Sequence, residues 1–491
     1  MAHWEIQGWM ILILGWVFLP FYTRSMVYTM PEFLERRYNP QSRTILSVIS
    51  LVSYVLTKVA VTVYAGGLVF QQVFGIKELW GIDFFWIAAI GLVVLTALYT
   101  IFGGMKSVLY TSVLQTPILL LGSLIILVLG FKELGGWDEM MRVCGAVTVN
   151  DYGDTMTNLI RSNDDANFPW LGALIGSAII GFWYWCTDQF IVQRVLSGKN
   201  EMEARRGTIF GAYLKLLPVF LFLIPGMIAF ALHQKYIGAG GEGFLPMLAN
   251  GTANADAAFP TLVAKLLPAG VKGLVVCGIL AALMSSLASL FNSSAMLFTI
   301  DFYKRFKPET PEKKLVGIGQ IATIVIVVLG ILWIPIMRSV GDVLYTYLQD
   351  VQSVLAPGIA AAFLLGICWK RTSAQGGMWG LISGMVIGLT RLGAKVYYSN
   401  AGEVADSTFK YLFYDMNWLF FCGWMFLFCI IVVIVVSLAT EAPTAEKIKG
   451  LVFGTATKEQ KAATRASWNH WDIIHTVIIL AITAAFYWYF W

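Results

Sequence analysis

Apolar residues in this chain gather in long uninterrupted runs, and twelve windows can be marked, near 5–22, 45–75, 82–102, 107–131, 169–193, 207–233, 269–300, 315–337, 342–369, 376–394, 415–439 and 472–491. A helix rises about 1.5 Å per residue, so roughly 20 apolar residues cross a hydrocarbon layer about 30 Å thick. Each window therefore predicts a membrane-spanning helix. The runs are too long for strands, and no ten-residue alternating segments recur, which excludes a β-barrel. The fold class expected is an all-α membrane protein of about twelve transmembrane helices.

Composition strengthens that picture. Of 491 residues, 58% are hydrophobic and 13% charged, with a mean hydropathy of +0.71. A soluble domain carries about 25% charge, so a water-soluble fold and a nucleic-acid binder are both excluded. Lys and Arg divide unequally between the two sides that alternate spans create. Segments such as 24–43, 194–206, 304–314 and 447–465 hold roughly twice as many as their opposites, which makes their side cytoplasmic. The N-terminus and the acidic loop 132–168 are then external. The polar stretch 440–471 is the one compositional break and reads as a cytoplasmic linker. The chain is expected to be a single multi-pass domain of a plasma or bacterial inner membrane, with the lipid bilayer as its surroundings.

Several chemistries find no support. The six cysteines form no CxxC pair, and the four histidines show no ligand spacing. No nucleophile–base pair or phosphate loop stands out, so an enzyme is not expected. The chain enters an apolar run at once, without the pattern of a cleavable signal peptide.

Polar residues inside the spans carry the functional information, because a charge near the bilayer centre costs roughly 2.5–3.5 kcal/mol on insertion scales. Lys58 lies midway along the second window and Lys215 some way into the sixth. Either they snorkel to the headgroups or they aim into a wet central cavity. The fifth window ends Trp-Tyr-Trp-Cys-Thr-Asp-Gln-Phe-Ile-Val-Gln-Arg at 183–194. Such a cluster is an interfacial aromatic belt or a sugar site, since a pyranose offers CH faces to aromatics and hydroxyls that both donate and accept. On the seventh window Ala282, Ser285 and Ser286 share one helical face. Two hydroxyls and a carbonyl there suit a hard cation such as sodium, or the serines bond back to their own helix and let neighbours pack closely. The ninth window carries Tyr345, Gln349 and then Pro357-Gly358, a kink beside a cavity, with Gln349 alternatively bonding to another helix.

The run 183–194, Lys215 in its Tyr-Leu-Lys-Leu context, Met-Ser-Ser-Leu-Ala-Ser at 284–289, Phe-Leu-Leu-Gly-Ile-Cys-Trp-Lys-Arg at 363–371 and Met-Pro-Glu-Phe-Leu-Glu-Arg-Arg at 30–37 resemble the sodium/solute symporter family, most of all its sodium/glucose cotransporter branch. The resemblance spans about 5–440. It implies a LeuT-type fold of two inverted five-helix repeats with the site between them at mid-membrane. Residues 1–131 would form the first repeat without its first helix, 169–369 the second, and 376–491 peripheral helices with the linker 440–471. It further implies that Lys215 and Gln349 hydrogen-bond a sugar, that Tyr184 stacks on it with Trp185 beside it, and that Tyr345 is an outer-gate aromatic. Glu5 takes the place of the family's sugar-binding glutamate. Ala282, Ser285 and Ser286 match half of the family's sodium site. Lys58 joins the substrate group as a donor into the same hollow.

Two departures shape the expectation. Members of this type have fourteen spans, so an N-terminal pair including the first core helix is absent, and a true start upstream of Met1 is expected. Relatives that bind a second sodium carry an Asp where this chain has Ser112 and a Thr where it has Ala288. One sodium per sugar is therefore expected. The function expected is sodium-coupled symport of a glucose- or galactose-like sugar. The alternatives are a polyol such as inositol or another solute, a sugar sensor or leak channel, and an inactive truncated fragment.

Overall fold

The computed structural model describes residues 2–248, 251–340, 344–401 and 405–490; the side chains at 99, 101–109, 111, 114 and 337–340 lie outside the description. The described residues form a bundle of long helices. In chain order these are α1 (Ala2–Ser25), α2 (Met30–Arg37), α3 (Pro40–Phe74), α4 (Phe84–Leu134), α5 (Trp137–Gly145), α6 (Trp170–Thr187), α7 (Gln189–Leu196), α8 (Glu201–Gly238) and α9 (Ala258–Leu266). There follow α10 (Ala269–Phe306), α11 (Glu312–Val340), α12 (Leu344–Cys368), α13 (Ala374–Asn400), α14 (Trp418–Ala439), α15 (Lys458–Ala466) and α16 (His470–Tyr489). The sheet among the described residues is one two-residue pair, β1 (Glu78–Leu79) and β2 (Ile82–Asp83), turned by Trp80 and Gly81 at φ of 56° and 76°.

Ten of these helices are long and apolar enough to cross a membrane. The twelve expected windows map onto them with two adjustments. Windows 82–102 and 107–131 are joined in α4, whose 51 residues continue through Gly103-Gly104 without a loop. At about 1.5 Å per residue α4 is about 77 Å long, more than twice a hydrocarbon layer about 30 Å thick, so only part of it can lie at membrane depth. Window 376–394 becomes α13, long enough to span but glycine-rich and less apolar.

Helix starts follow local chemistry. Thr29, Asn39, Asn200 and Ser373 each accept a backbone N–H from the first turn they precede. Complete capping boxes open α15 (Thr457 with Gln460) and α16 (Asn469 with Asp472). The linker 440–471 docks on the body: Phe453 N–H donates to Ile367 O at 2.9 Å, and its ring lies 5.0 Å from Phe21. Arg37, in the last turn of α2, is fully buried and donates to the terminal carbonyls of α12 at Gly366 (2.6 Å) and Trp369 (3.3 Å). A guanidinium there satisfies orphan acceptors and complements the negative helix end.

Burial ranks the spans. In α12, 83% of the apolar window is covered, against 22% in α16, so α12 is a central element and α16 a peripheral one. Against α12 packs α13, through glycine on glycine: a Cβ added to Gly384 would lie 2.6 Å from Gly358 Cα. With no hydrophobic drive between helices in lipid, such close backbone approach is what joins them.

Gly384→Ala is expected to lower stability by about 1–3 kcal/mol through overpacking, seen as a fall in thermal midpoint in detergent micelles. Gly393→Ala, with nothing within 4 Å of the added Cβ, should leave the midpoint unchanged.

Candidate functional site

The expected fifth span, 169–193, is not one helix. It ends α6 in a π-helical turn, Trp183–Thr187, breaks at Asp188 (φ −78°, ψ 126°) and restarts as α7. No Gly or Pro forces the break. Asp188 acts as the N-cap of α7, its Oδ1 accepting the Phe190 N–H at 3.1 Å. A carboxylate is favoured at that position by the orphan N–H groups and the helix dipole.

Across from the break, α3 has its own π-helical turn, Tyr54–Val59. Tyr54 Oη donates to Asp188 Oδ1 at 2.9 Å and accepts the Phe190 N–H at 3.1 Å. Lys58 is ion-paired with Asp188 Oδ2. Its ammonium also lies over the rings of Phe190 (4.3 Å), Tyr54 (4.8 Å) and Tyr184 (5.0 Å). Lys58 therefore does not snorkel: its charge is held inside the bundle by a carboxylate and three aromatic faces.

A second polar centre adjoins the first. Lys215 of α8 pairs with Glu5 of α1 at 2.8 Å, and Tyr345 Oη of α12 donates to the other Glu5 oxygen at 3.4 Å. The Lys215 ammonium lies 5.7 Å from the Trp185 ring centre. Gln349, one turn beyond Tyr345, is buried, and its Oε1 has no hydrogen-bond partner. Tyr184 and Trp185, edge to face at 5.1 Å, connect the centres, since Tyr184 meets Lys58 and Trp185 meets Lys215. Glu5, Trp185, Lys215 and Tyr345 thus come from four helices to one place; Lys58 and Tyr184 line its neighbour, and Gln349 sits a turn away.

Of the three cation candidates on α10, Ser285 is buried with its Oγ 2.6 Å from Ser112 Oγ of α4. Ala282 is half-buried and Ser286 is exposed. Ser289 and Ser293, the next turns along, bond back to the carbonyls of Ser285 (3.0 Å) and Ser289 (2.8 Å). Hydroxyl and carbonyl oxygens are donors of the kind sodium takes, and of the three positions Ser285 is the one turned into the bundle. Beside Ser289 and Ser293 rests α7: Arg194 donates to Ser289 Oγ, and Gln193 Nε2 to Ser293 Oγ at 2.5 Å. The helix capped by Asp188 therefore bonds to α10 just beyond the candidate cation residues.

The run 183–194 includes Asp188, Gln193 and Arg194 without assigning a role to any of them, and Tyr54 carries no mark in the sequence. The usable signal was Thr-Asp-Gln ahead of an apolar run, the pattern of a helix start. In the turn ahead of α9, Asp256 accepts the Leu344 N–H of α12 on both oxygens, at 3.2 and 3.1 Å. Burial pushes its carboxyl above the usual range, against the pull of that N–H. Gln189 accepts the Met30 N–H at 2.8 Å, and Asp301 takes Thr29 Oγ1 (3.1 Å) and Arg43 Nε (2.7 Å), pinning the α1–α2 loop against α7 and α10.

With this geometry established, similarity to known proteins fixes the class. The sequence profile of the sodium:solute symporter family matches residues 2–384. The chain is 35% identical over 504 residues to the sodium/mannose cotransporter of Bos taurus, covering 98% of this chain and 83% of that one. It is 35% identical to human sodium/myo-inositol cotransporter 2 (92% and 68% covered) and 37% identical to sodium/glucose cotransporter 1 of Ovis aries (88% and 67%). In fold it is similar to the substrate-bound outward-open state of a Na+-coupled sialic acid symporter, at TM-score 0.69 and 20% identity over 90% of this chain and 84% of that one. The chain belongs to the sodium:solute symporter family. It has the LeuT-type helical fold of that family, is an integral membrane transporter and not an enzyme, and uses sodium as its coupling ion.

Removing one partner of a buried pair leaves an uncompensated charge and costs about 3–5 kcal/mol. Lys58→Met should accordingly lower the thermal midpoint sharply, and Lys58→Met/Asp188→Asn, which removes the second charge but keeps an oxygen to cap α7 and receive Tyr54, should recover much of the loss. Equal midpoints for the single and double variants would contradict the pairing.

Proposed function

We propose that the protein accumulates a glucose- or galactose-like sugar, carrying one sodium with each molecule by alternating access between two inverted repeats, 1–131 and 169–369. What supports this reading most is the convergence of Glu5, Lys215, Tyr345 and Trp185 beside a buried Gln349 amide oxygen left without a partner. An unmet buried acceptor costs about 1–3 kcal/mol, and a sugar hydroxyl is a donor that relieves it. Lys215 donates, Glu5 accepts, and Tyr184 and Trp185 offer faces to the CH side of a pyranose. Lys58, bound to Asp188, holds the floor of the hollow, and Tyr345 closes it from outside. The relatives named for mannose and glucose support a hexose. The relative named for myo-inositol, equally similar, supports a polyol as the second reading, since the same donors and acceptors meet a ring of hydroxyls.

Sodium binds at Ala282, Ser285 and Ser286 in this reading. Ser112 supplies a neutral hydroxyl already engaged with Ser285 where a second cation needs a carboxylate, which favours one sodium per sugar. The driving force suffices: about 2.3 kcal/mol from 100 mV and about 1.4 kcal/mol from a tenfold sodium gradient sustain a few hundredfold sugar gradient.

Uptake of labelled glucose and myo-inositol into proteoliposomes tests the reading. Accumulation above the outside concentration, abolished when choline replaces sodium, is expected for one of the two, with one net charge per sugar. Equilibration without accumulation would mark a leak, binding without uptake a sensor, and a ratio near two charges would overturn the stoichiometry. Gln349→Ala should raise the sugar KM about tenfold while Ser286→Ala raises the sodium half-saturation instead; equal effects of both on both ligands would contradict the division of roles.

A further inference from the structure

Tyr347 lies two residues from both Tyr345 and Gln349, and residues so spaced on a helix do not share a face. Its side chain points away from the sugar cluster and is 4% exposed. There its hydroxyl uses both of its capacities. It accepts the indole N–H of Trp333 in α11 at 2.6 Å and donates to the Leu56 carbonyl at 3.1 Å. Leu56 sits inside the π-helical turn of α3, two residues before Lys58. The relay thus ties the helix that carries Tyr345 and Gln349 to the turn whose lysine holds Asp188, with α11 as the outer support.

Position makes this tie consequential. Ten residues on, Pro357 interrupts the hydrogen-bond ladder of α12, so the segment bearing Tyr345 and Gln349 has a weakened link to the rest of its own helix. Its orientation has to be set by lateral contacts. Tyr347 belongs to the same buried cluster as Tyr54, Leu56, Val59 and Phe190, residues of the π turn and of the restarted helix. A hydroxyl that accepts from a donor-only indole and donates to an acceptor-only carbonyl fixes rotation as well as distance. Phenylalanine keeps the packing and loses the relay.

We propose that Tyr347 is a positioning residue of the sugar site: through the Leu56 carbonyl it sets Gln349 and Tyr345 in register with the Lys58–Asp188 pair, without touching substrate itself. The inference rests on the proposed sugar transport and deepens it.

Kinetics of Tyr347→Phe and Trp333→Phe in the full-length protein, reconstituted and assayed for sodium-driven uptake, test it. Tyr347→Phe should raise the sugar KM about tenfold, with the maximal rate per folded transporter and the sodium half-saturation within about twofold of wild type. Trp333→Phe, which spares the bond to Leu56, should raise KM only about threefold. The double variant should match Tyr347→Phe alone, because both lie on one relay. An unchanged KM in Tyr347→Phe, a fall in maximal rate at constant KM, a parallel rise in sodium half-saturation, or additive effects in the double variant would each overturn the proposal. Absence of sodium-driven uptake in the wild type would instead overturn the transport reading, and this inference with it. Should Tyr347→Phe fail to give a monodisperse protein, the KM of Trp333→Phe decides, an unchanged value being the contradicting result.

Discussion

A lysine and an aspartate facing each other inside the bundle are the constraint on which the rest of the arrangement depends. Lys58 and Asp188 meet where two helices have each left regular α-geometry, α3 in a π turn and α6 in a π turn followed by a break. Neither charge tolerates the low-dielectric interior alone. Asp188 answers to three demands at once: it neutralises Lys58, receives the Tyr54 hydroxyl and caps α7. Because it caps α7, it also sets where Gln193 and Arg194 fall on the serine stripe of α10. The aromatic pair Tyr184–Trp185 then stands between this ion pair and the Glu5–Lys215 pair.

This layout accounts for how one ligand can report on another. The polar cluster around Glu5 and Lys58 shares no side chain with Ala282, Ser285 and Ser286, while α7 bonds to Ser289 and Ser293, further along α10. In the proposed reading a change at the break would shift α7 against the serines, and a cation held by them would resist that shift. Linkage between the two ligands then needs no long-range wire, only one element with two positions. Contacts at Gln189 and Asp301 hold the α1–α2 loop against the same two helices.

Much of this was legible from residues alone, and what was not has identifiable causes. The spans were readable because lipid imposes both length and apolarity, and those are local properties of sequence. The continuity of two windows as α4 was not, since the Gly103-Gly104 pair between them signals a turn. For Lys58 and Lys215 two readings stood open, because snorkelling and pairing depend on partners 130 and 210 residues away. Asp188 looked like one polar residue among several; its role appears only once Tyr54 and Lys58 are brought opposite. Ser286 shows the converse. Spacing put it on one stripe with Ala282 and Ser285, but burial separates them, with Ser285 inside and Ser286 exposed.

Reciprocal binding measured on the purified protein bears most directly on the central claim that a polar hollow and a neighbouring cation niche are linked through one broken helix. Labelled-sugar affinity titrated at several sodium concentrations, and sodium affinity titrated at several sugar concentrations, should each strengthen by the same factor, as thermodynamic linkage requires. Sugar affinity indifferent to sodium, in protein that demonstrably binds both, would contradict the account.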